Sequence, residues 1–159
     1  MKTILSTQLS IDLSIVSEVT LVYRNHIKPA ARPVIMSSKD AYDLFRDTWD
    51  HSFEHLESFR LMLLNRANKV LGISTISNGS LSGTLVDIRI IMQYALKANA
   101  HSIIVSHNHP SGNCKPSEND LSITQKIKEA GKILDISLLD HLILTPDDTY
   151  SSFADEGLL

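Results

Sequence analysis

Disulfide bonding within this chain is closed off, because Cys114 is its only cysteine. Disulfides persist in oxidising compartments and are rare in the cytosol, so a cytoplasmic setting is the natural expectation. Basic charge is scarce as well. Fifteen Lys and Arg face eighteen Asp and Glu, for a formal net charge of −3, whereas a surface that grips phosphate backbones needs a clustered cationic excess. Arg24, His26, Lys28 and Arg32 form one small basic group, which a solvated loop explains equally well. Long apolar runs are missing too: none approaches the roughly 20 residues that cross a bilayer as a helix. The first apolar stretch is broken by Gln8, Ser10 and Asp12 and offers no small-residue cleavage site, so it reads poorly as a secretory signal. No membrane and no clear nucleic-acid surface are expected.

What is present suits one soluble domain. The chain has 159 residues, 43% of them hydrophobic, enough for a single core without a stapling metal. A metal here is expected to do chemistry.

Residues 1–32 read as an N-terminal arm, with Glu18 to Arg24 alternating well enough for an extra strand. The main domain is expected over 33–159. Ser37 followed by Asp40 resembles a capping box and opens a helix through Ala41, Leu44, Phe45 and Trp49. Two apolar, β-prone runs, 57–65 and 69–77, are separated by Arg66, Ala67 and Asn68, which predicts a hairpin. Asp87 starts a helix whose Ile88, Ile91, Met92, Ala95 and Leu96 form a buried stripe. Residues 101–107 read as a short buried strand. Pro116 to Asp120 open a further helix, with Ile123, Ile127, Ala130 and Leu134 inward and Gly131 interrupting it near its end. A strand over 136–145, a turn at Pro146 to Asp148 and a short strand Tyr150–Phe153 complete an α/β domain with helices around one sheet.

The informative segment runs from His107 to Asp120. His107 and His109 stand two apart at the end of an apolar strand, and in extended chain such residues project to the same side. Pro110, Ser111 and Gly112 then turn the chain, and Asp120 sits one turn inside the following helix, where its carboxylate can point back at the pair. Two imidazoles and a carboxylate suit Zn²⁺ and leave a fourth tetrahedral position open, as in a catalytic site. Ser117 and Asp120 also fit a helix-capping pair, but that reading leaves the two histidines unexplained. Two other patterns compete less well. His51 to His55 spells H-x-x-E-H, a zinc pattern that needs a stable helix, yet the segment lies between a helix end and a strand start. Cys114, inside the loop between the ligands, reads as an accessible thiol.

The order His-x-His, seven residues, Ser, two residues, Asp resembles the JAMM signature of the MPN/JAB metallopeptidase superfamily. The wording HNHPSG at 107–112, Pro116-Ser117 and Asp120, with Ser82-Gly83-Thr84, Asp140-His141 and Ser152-Phe153, resembles its RadC-type branch. The resemblance implies the MPN/JAB (cytidine-deaminase-like) architecture, a mixed, mainly antiparallel sheet with flanking helices. It implies one zinc ion on His107, His109 and Asp120, and hydrolysis of a peptide or isopeptide bond in a protein or peptide substrate. It adds an upstream Glu as general base, which Glu57 fits through its spacing to Phe59, with Glu54 as the near rival. It gives Ser117 the role of oxyanion donor. For Asp140 and His141 a supporting role and plain packing both stand. Two alternatives remain: an MPN scaffold that binds without cutting, and a DNA-linked role. RadC-type proteins traditionally carry a DNA-repair label, and longer relatives place a helix-hairpin-helix segment ahead of this domain, which is not expected within these 159 residues. Pairing with another copy is open, the arm being free for it.

Overall fold

The computed structural model describes residues 22–49, 53–79 and 86–159. The expected arm falls largely outside that range; Val22 to Arg24 are not in a strand. The chain begins in description with a single 3₁₀ turn, Pro29–Ala31. Helix α1 (Ser38–Asp47) follows, then strands β1 (Ser58–Leu64) and β2 (Val70–Asn78), helix α2 (Ile88–Lys97), strand β3 (Ser102–Asn108), helix α3 (Glu118–Ile133), and strands β4 (Ser137–Leu144) and β5 (Tyr150–Ser152).

The helices start where the sequence signals them. Ser37 accepts the Asp40 backbone N–H while Asp40 accepts the Ser37 N–H, a complete capping box for α1. Asp87 caps α2 by accepting the Arg89 N–H, and Ser117 with Asp120 forms a second capping box at α3. The five strands form one sheet in the order β2-β1-β3-β4-β5. Every pairing is antiparallel except β3 with β4, which is parallel and therefore needs the long crossover that α3 supplies.

Both sheet faces are covered, and strand alternation decides which side each residue serves. Phe59, Leu61, Leu63, Ile103 and Val105 pack against Ile91, Met92 and Ala95 of α2 and Ile127 of α3. Met62, Leu64, Ile104, Leu142 and Leu144 face the other way, onto Ala41, Tyr42 and Phe45 of α1. One irregularity matters for the site. Between Ile103 and Ile104 the β4 partner jumps from Leu138 to Asp140, so Leu139 is an extra residue. The bulge inverts the alternation of β4. Leu138 lies in the core beside α2 and α3, and His141, three residues on, reaches the same side.

Five expectations need correction. Helix α1 ends at Asp47, with Thr48 as its cap, so Trp49 lies beyond it. Leu96 is 52% exposed: it lies about 90° around the helix from the centre of the stripe formed by Ile88, Ile91, Met92 and Ala95. Gly131 does not interrupt α3, which runs two residues further. A Cβ there would sit 2.3 Å from the Ile136 carbonyl oxygen, so the glycine admits the returning chain. That return places Ile136, not Leu134, in the core. β5 also stops one residue short of Phe153.

Candidate metal centre

Three elements bring the histidines and the aspartate together. Strand β3 ends with His107 pointing to the α2/α3 side, and His109 follows two residues later, its backbone N–H donating to the Leu144 carbonyl at 2.8 Å. The chain then reverses at Gly112, whose φ of +79° lies in the left-handed region. Asp120 enters from the first turn of α3. Its Oδ1 lies 3.1 Å from His107 Nε2 and its Oδ2 3.6 Å from His109 Nε2, while the two Nε2 atoms are 2.9 Å apart. One atom from each residue falls within 4.8 Å of the others, so His107, His109 and Asp120 can hold a metal ion.

The donor chemistry fits a cation. His109 Nδ1 lies 2.6 Å from the Asn113 carbonyl oxygen, which can only accept, so that nitrogen carries a hydrogen, and the neutral ring keeps its lone pair on Nε2, toward the cluster. Burial opposes the charge on Asp120, but hydrogen bonds from His107, His109 and Ser117 hold its carboxyl far below the usual carboxylate range. For His109, burial favours the neutral ring, and Asp120 and the Asn113 carbonyl outweigh it, so its affinity for a proton is raised. The place between these atoms attracts positive charge, and a metal competes with a proton for it.

Glu57 immediately precedes β1 and is half-buried. Phe59 pairs with His107, so the same register continued by two residues sets Glu57 opposite His109, on the cluster's side of the sheet. Its carboxylate acts on His109, favouring the protonated ring. Glu54 stands in an exposed turn. Ser117 is one hydrogen bond from the cluster: its hydroxyl donates to Asp120 Oδ2 at 2.6 Å and accepts the Asp120 N–H at 3.2 Å, and its own N–H meets Oδ2 at 2.7 Å. The hydroxyl hydrogen is thus directed at the Asp120 carboxylate.

Sequence reasoning undervalued three buried groups. His141 is fully buried, its Nε2 2.8 Å from His107 Nδ1 and its Nδ1 2.6 Å from Thr124 Oγ1. Burial, reinforced by nearby His107, holds its basicity well below that of an ordinary histidine. Asp140 turns away from the cluster and accepts from Ser152 Oγ, Ala154 N and His141 N; burial pushes its carboxyl up against those bonds. Asn108, between the two histidines, points to the α1 side. There it accepts the Ser58 N–H and donates to the carbonyls of Phe53 and Leu56. The Asp140-His141 pair and the i, i+4 step from Asp120 to Thr124 were the available signals.

Among the described residues, neither competing pattern contributes to the cluster. Phe53 to His55 form an exposed turn, not a helix, and His51, like Ser82 to Thr84, lies outside the described residues. Cys114 lies beside Thr149, its Sγ 3.2 Å from the hydroxyl, and is not part of the cluster.

A five-stranded mixed sheet between helices, with a His-His-Asp cluster at the end of its central strand, defines a JAB-type domain. The RadC-like JAB domain family matches residues 35–158, and the chain belongs to it. It is similar to a UPF0758 protein of Flavobacterium johnsoniae, 44% identical over 124 residues, which cover 78% of this chain and 53% of that protein. A UPF0758 protein of Porphyromonas gingivalis is 45% identical over 103 residues, 65% of this chain and 45% of the relative. One from Desulfitobacterium hafniense is 40% identical over 131 residues, 82% and 56% respectively. The chain therefore spans about half the length of the curated relatives it matches. Among the described residues, no helix is long and apolar enough to cross a membrane.

Proposed function

We propose that this domain is a zinc-dependent hydrolase that cleaves a peptide or isopeptide amide bond in a protein or peptide substrate. The convergence of two imidazole nitrogens and a carboxylate oxygen, a donor set that suits a catalytic zinc, supports this reading most directly. His107, His109 and Asp120 would hold the ion. When bound, zinc would supply Lewis acidity and bring the ionisation of its water down to near neutrality.

The chain's own groups do the rest. Glu57, two residues before the Phe59 that pairs with His107, takes the proton of the attacking water and returns it to the leaving amine. Ser117 has one hydroxyl hydrogen for two duties. It holds the Asp120 carboxylate, and it serves a developing oxyanion only when that hydrogen leaves Oδ2. Its first contribution is therefore to fix a ligand. The amide class follows from the family resemblance together with the pairing of a metal cluster and a carboxylate base.

The separating experiment is Glu57→Gln. The variant should keep one zinc per chain and lose hydrolysis of a peptide library by several orders of magnitude. A variant with wild-type turnover removes Glu57 from the chemistry. Partner capture that survives both Glu57→Gln and His107→Ala, with no turnover in the wild type, replaces the hydrolase with a binding scaffold.

A further inference from the structure

The hydrogen bonds behind His107 have a direction, and Asp120 itself sets it. Thr124 Oγ1 lies 2.5 Å from the Asp120 backbone carbonyl oxygen. A carbonyl only accepts, so the single hydroxyl hydrogen of Thr124 belongs to that bond. Thr124 then has only lone pairs to offer His141 Nδ1 at 2.6 Å, and His141 must carry its hydrogen on Nδ1. The ring is fully buried, stacked on Phe153 with centroids 4.6 Å apart and met edge-on by Phe59 at 5.6 Å. Its two nitrogens meet His107 and Thr124. A neutral ring with hydrogen on Nδ1 has a bare Nε2, which accepts from His107 Nδ1 at 2.8 Å. With its hydrogen on Nδ1, a neutral His107 keeps its lone pair on Nε2, the atom that faces His109 and Asp120.

We propose that Thr124 and His141 are positioning residues: a one-way relay from the Asp120 carbonyl that locks His107 with its hydrogen on Nδ1 and its lone pair on the metal position. The inference rests on the zinc-site reading above. Reversing the relay would put a hydrogen on His107 Nε2 and block that position. The relay begins and ends in ligands, so the first turn of α3 and the end of β3 are joined behind the site as well as across it. The Leu139 bulge makes this possible, because it turns His141 onto the side of His107. A histidine behind a ligand histidine replaces the more usual carboxylate or carbonyl partner. It orients the ligand without adding negative charge.

Two measurements on the full chain test this. In the metal-free protein at mildly alkaline pH, two-bond ¹⁵N–¹H correlation spectra report the tautomer of each histidine. Both His107 and His141 should carry hydrogen on Nδ1, and a hydrogen on His141 Nε2, or a His107 without hydrogen on Nδ1, overturns the relay. Thr124→Val keeps the shape and removes the oxygen. Zinc affinity, read by chelator competition, should fall about 10- to 100-fold, with His141 no longer held in one tautomer. Thr124→Ser should restore both. Wild-type affinity in a folded Thr124→Val protein contradicts the proposal; if that variant does not fold, the wild-type spectra decide alone. Nδ1 hydrogens on both rings in a wild-type chain that binds no zinc would sustain the relay and remove the zinc reading.

Discussion

The Asn108 carboxamide oxygen accepts the Ser58 backbone N–H at 2.7 Å, and the same side chain donates to the Leu56 carbonyl at 2.9 Å. Asn108 therefore grips the backbone on both sides of Glu57 while its two neighbours, His107 and His109, face the metal position. One tripeptide sets the ligands with its outer residues and the candidate base with its middle one. Asn108→Ala should destabilise the fold by about 1–3 kcal/mol, the cost of leaving buried backbone groups unpaired. It should speed amide exchange at Ser58 and leave zinc stoichiometry intact. Slow Ser58 exchange in a folded variant would show that something else fixes this segment.

Ser117→Ala separates the two duties of the hydroxyl. Loss of the cap should cost about 1 kcal/mol in chemical denaturation. If the hydroxyl chiefly holds Asp120, zinc affinity falls together with turnover. If its chief duty is to the oxyanion, affinity stays at the wild-type level and kcat alone falls, by about 10²–10³. The hydrogen bond to Oδ2 predicts the first pattern.

Zinc affinity should rise with pH beyond the ordinary histidine range. His109 must be bare at Nε2 to bind, and its proton affinity is raised above that of an ordinary histidine, so protons still compete near neutrality. Asp120, held low, stays ionised throughout. In the metal-free fold the signs oppose each other. The His109 contribution to stability is complete below 6.5 and is lost as pH rises through its higher folded value. The Asp120 contribution is complete above 3.8 and fades as pH falls below it. Chelator competition across the neutral range checks the metal-bound case, and a flat profile there contradicts it.

Gly131→Ala should destabilise the domain by about 1–3 kcal/mol, as overpacking does, because the new methyl meets the Ile136 carbonyl at 2.3 Å. Thermal melting measures it, and an unchanged midpoint would mean that the chain leaving α3 shifts freely.

Patterns carried by neighbouring residues were legible from sequence. Ser37 with Asp40 and Ser117 with Asp120 announced two helix starts, and the spacing of His107, His109 and Asp120 announced the cluster. What escaped depends on partners distant in sequence. Nothing local in ISLLDH shows that Leu139 bulges, and without the bulge strict alternation turns His141 away from His107. Asn108 reads as a spacer until residues 53–58 fold against it. Leu96 and Leu134 looked buried because an apolar stripe fixes a helix's inner face only to within a residue or two, and α2 and α3 each settle with one leucine outside.

The central claim is that His107, His109 and Asp120 bind one catalytic zinc. Elemental analysis of the purified full chain after zinc addition and dialysis tests it most directly, run beside His107→Ala and His55→Ala. One zinc per chain is predicted in the wild type and in His55→Ala, with loss of zinc in His107→Ala. A wild-type chain without bound metal, or a His107→Ala chain that retains it while His55→Ala loses it, contradicts the account.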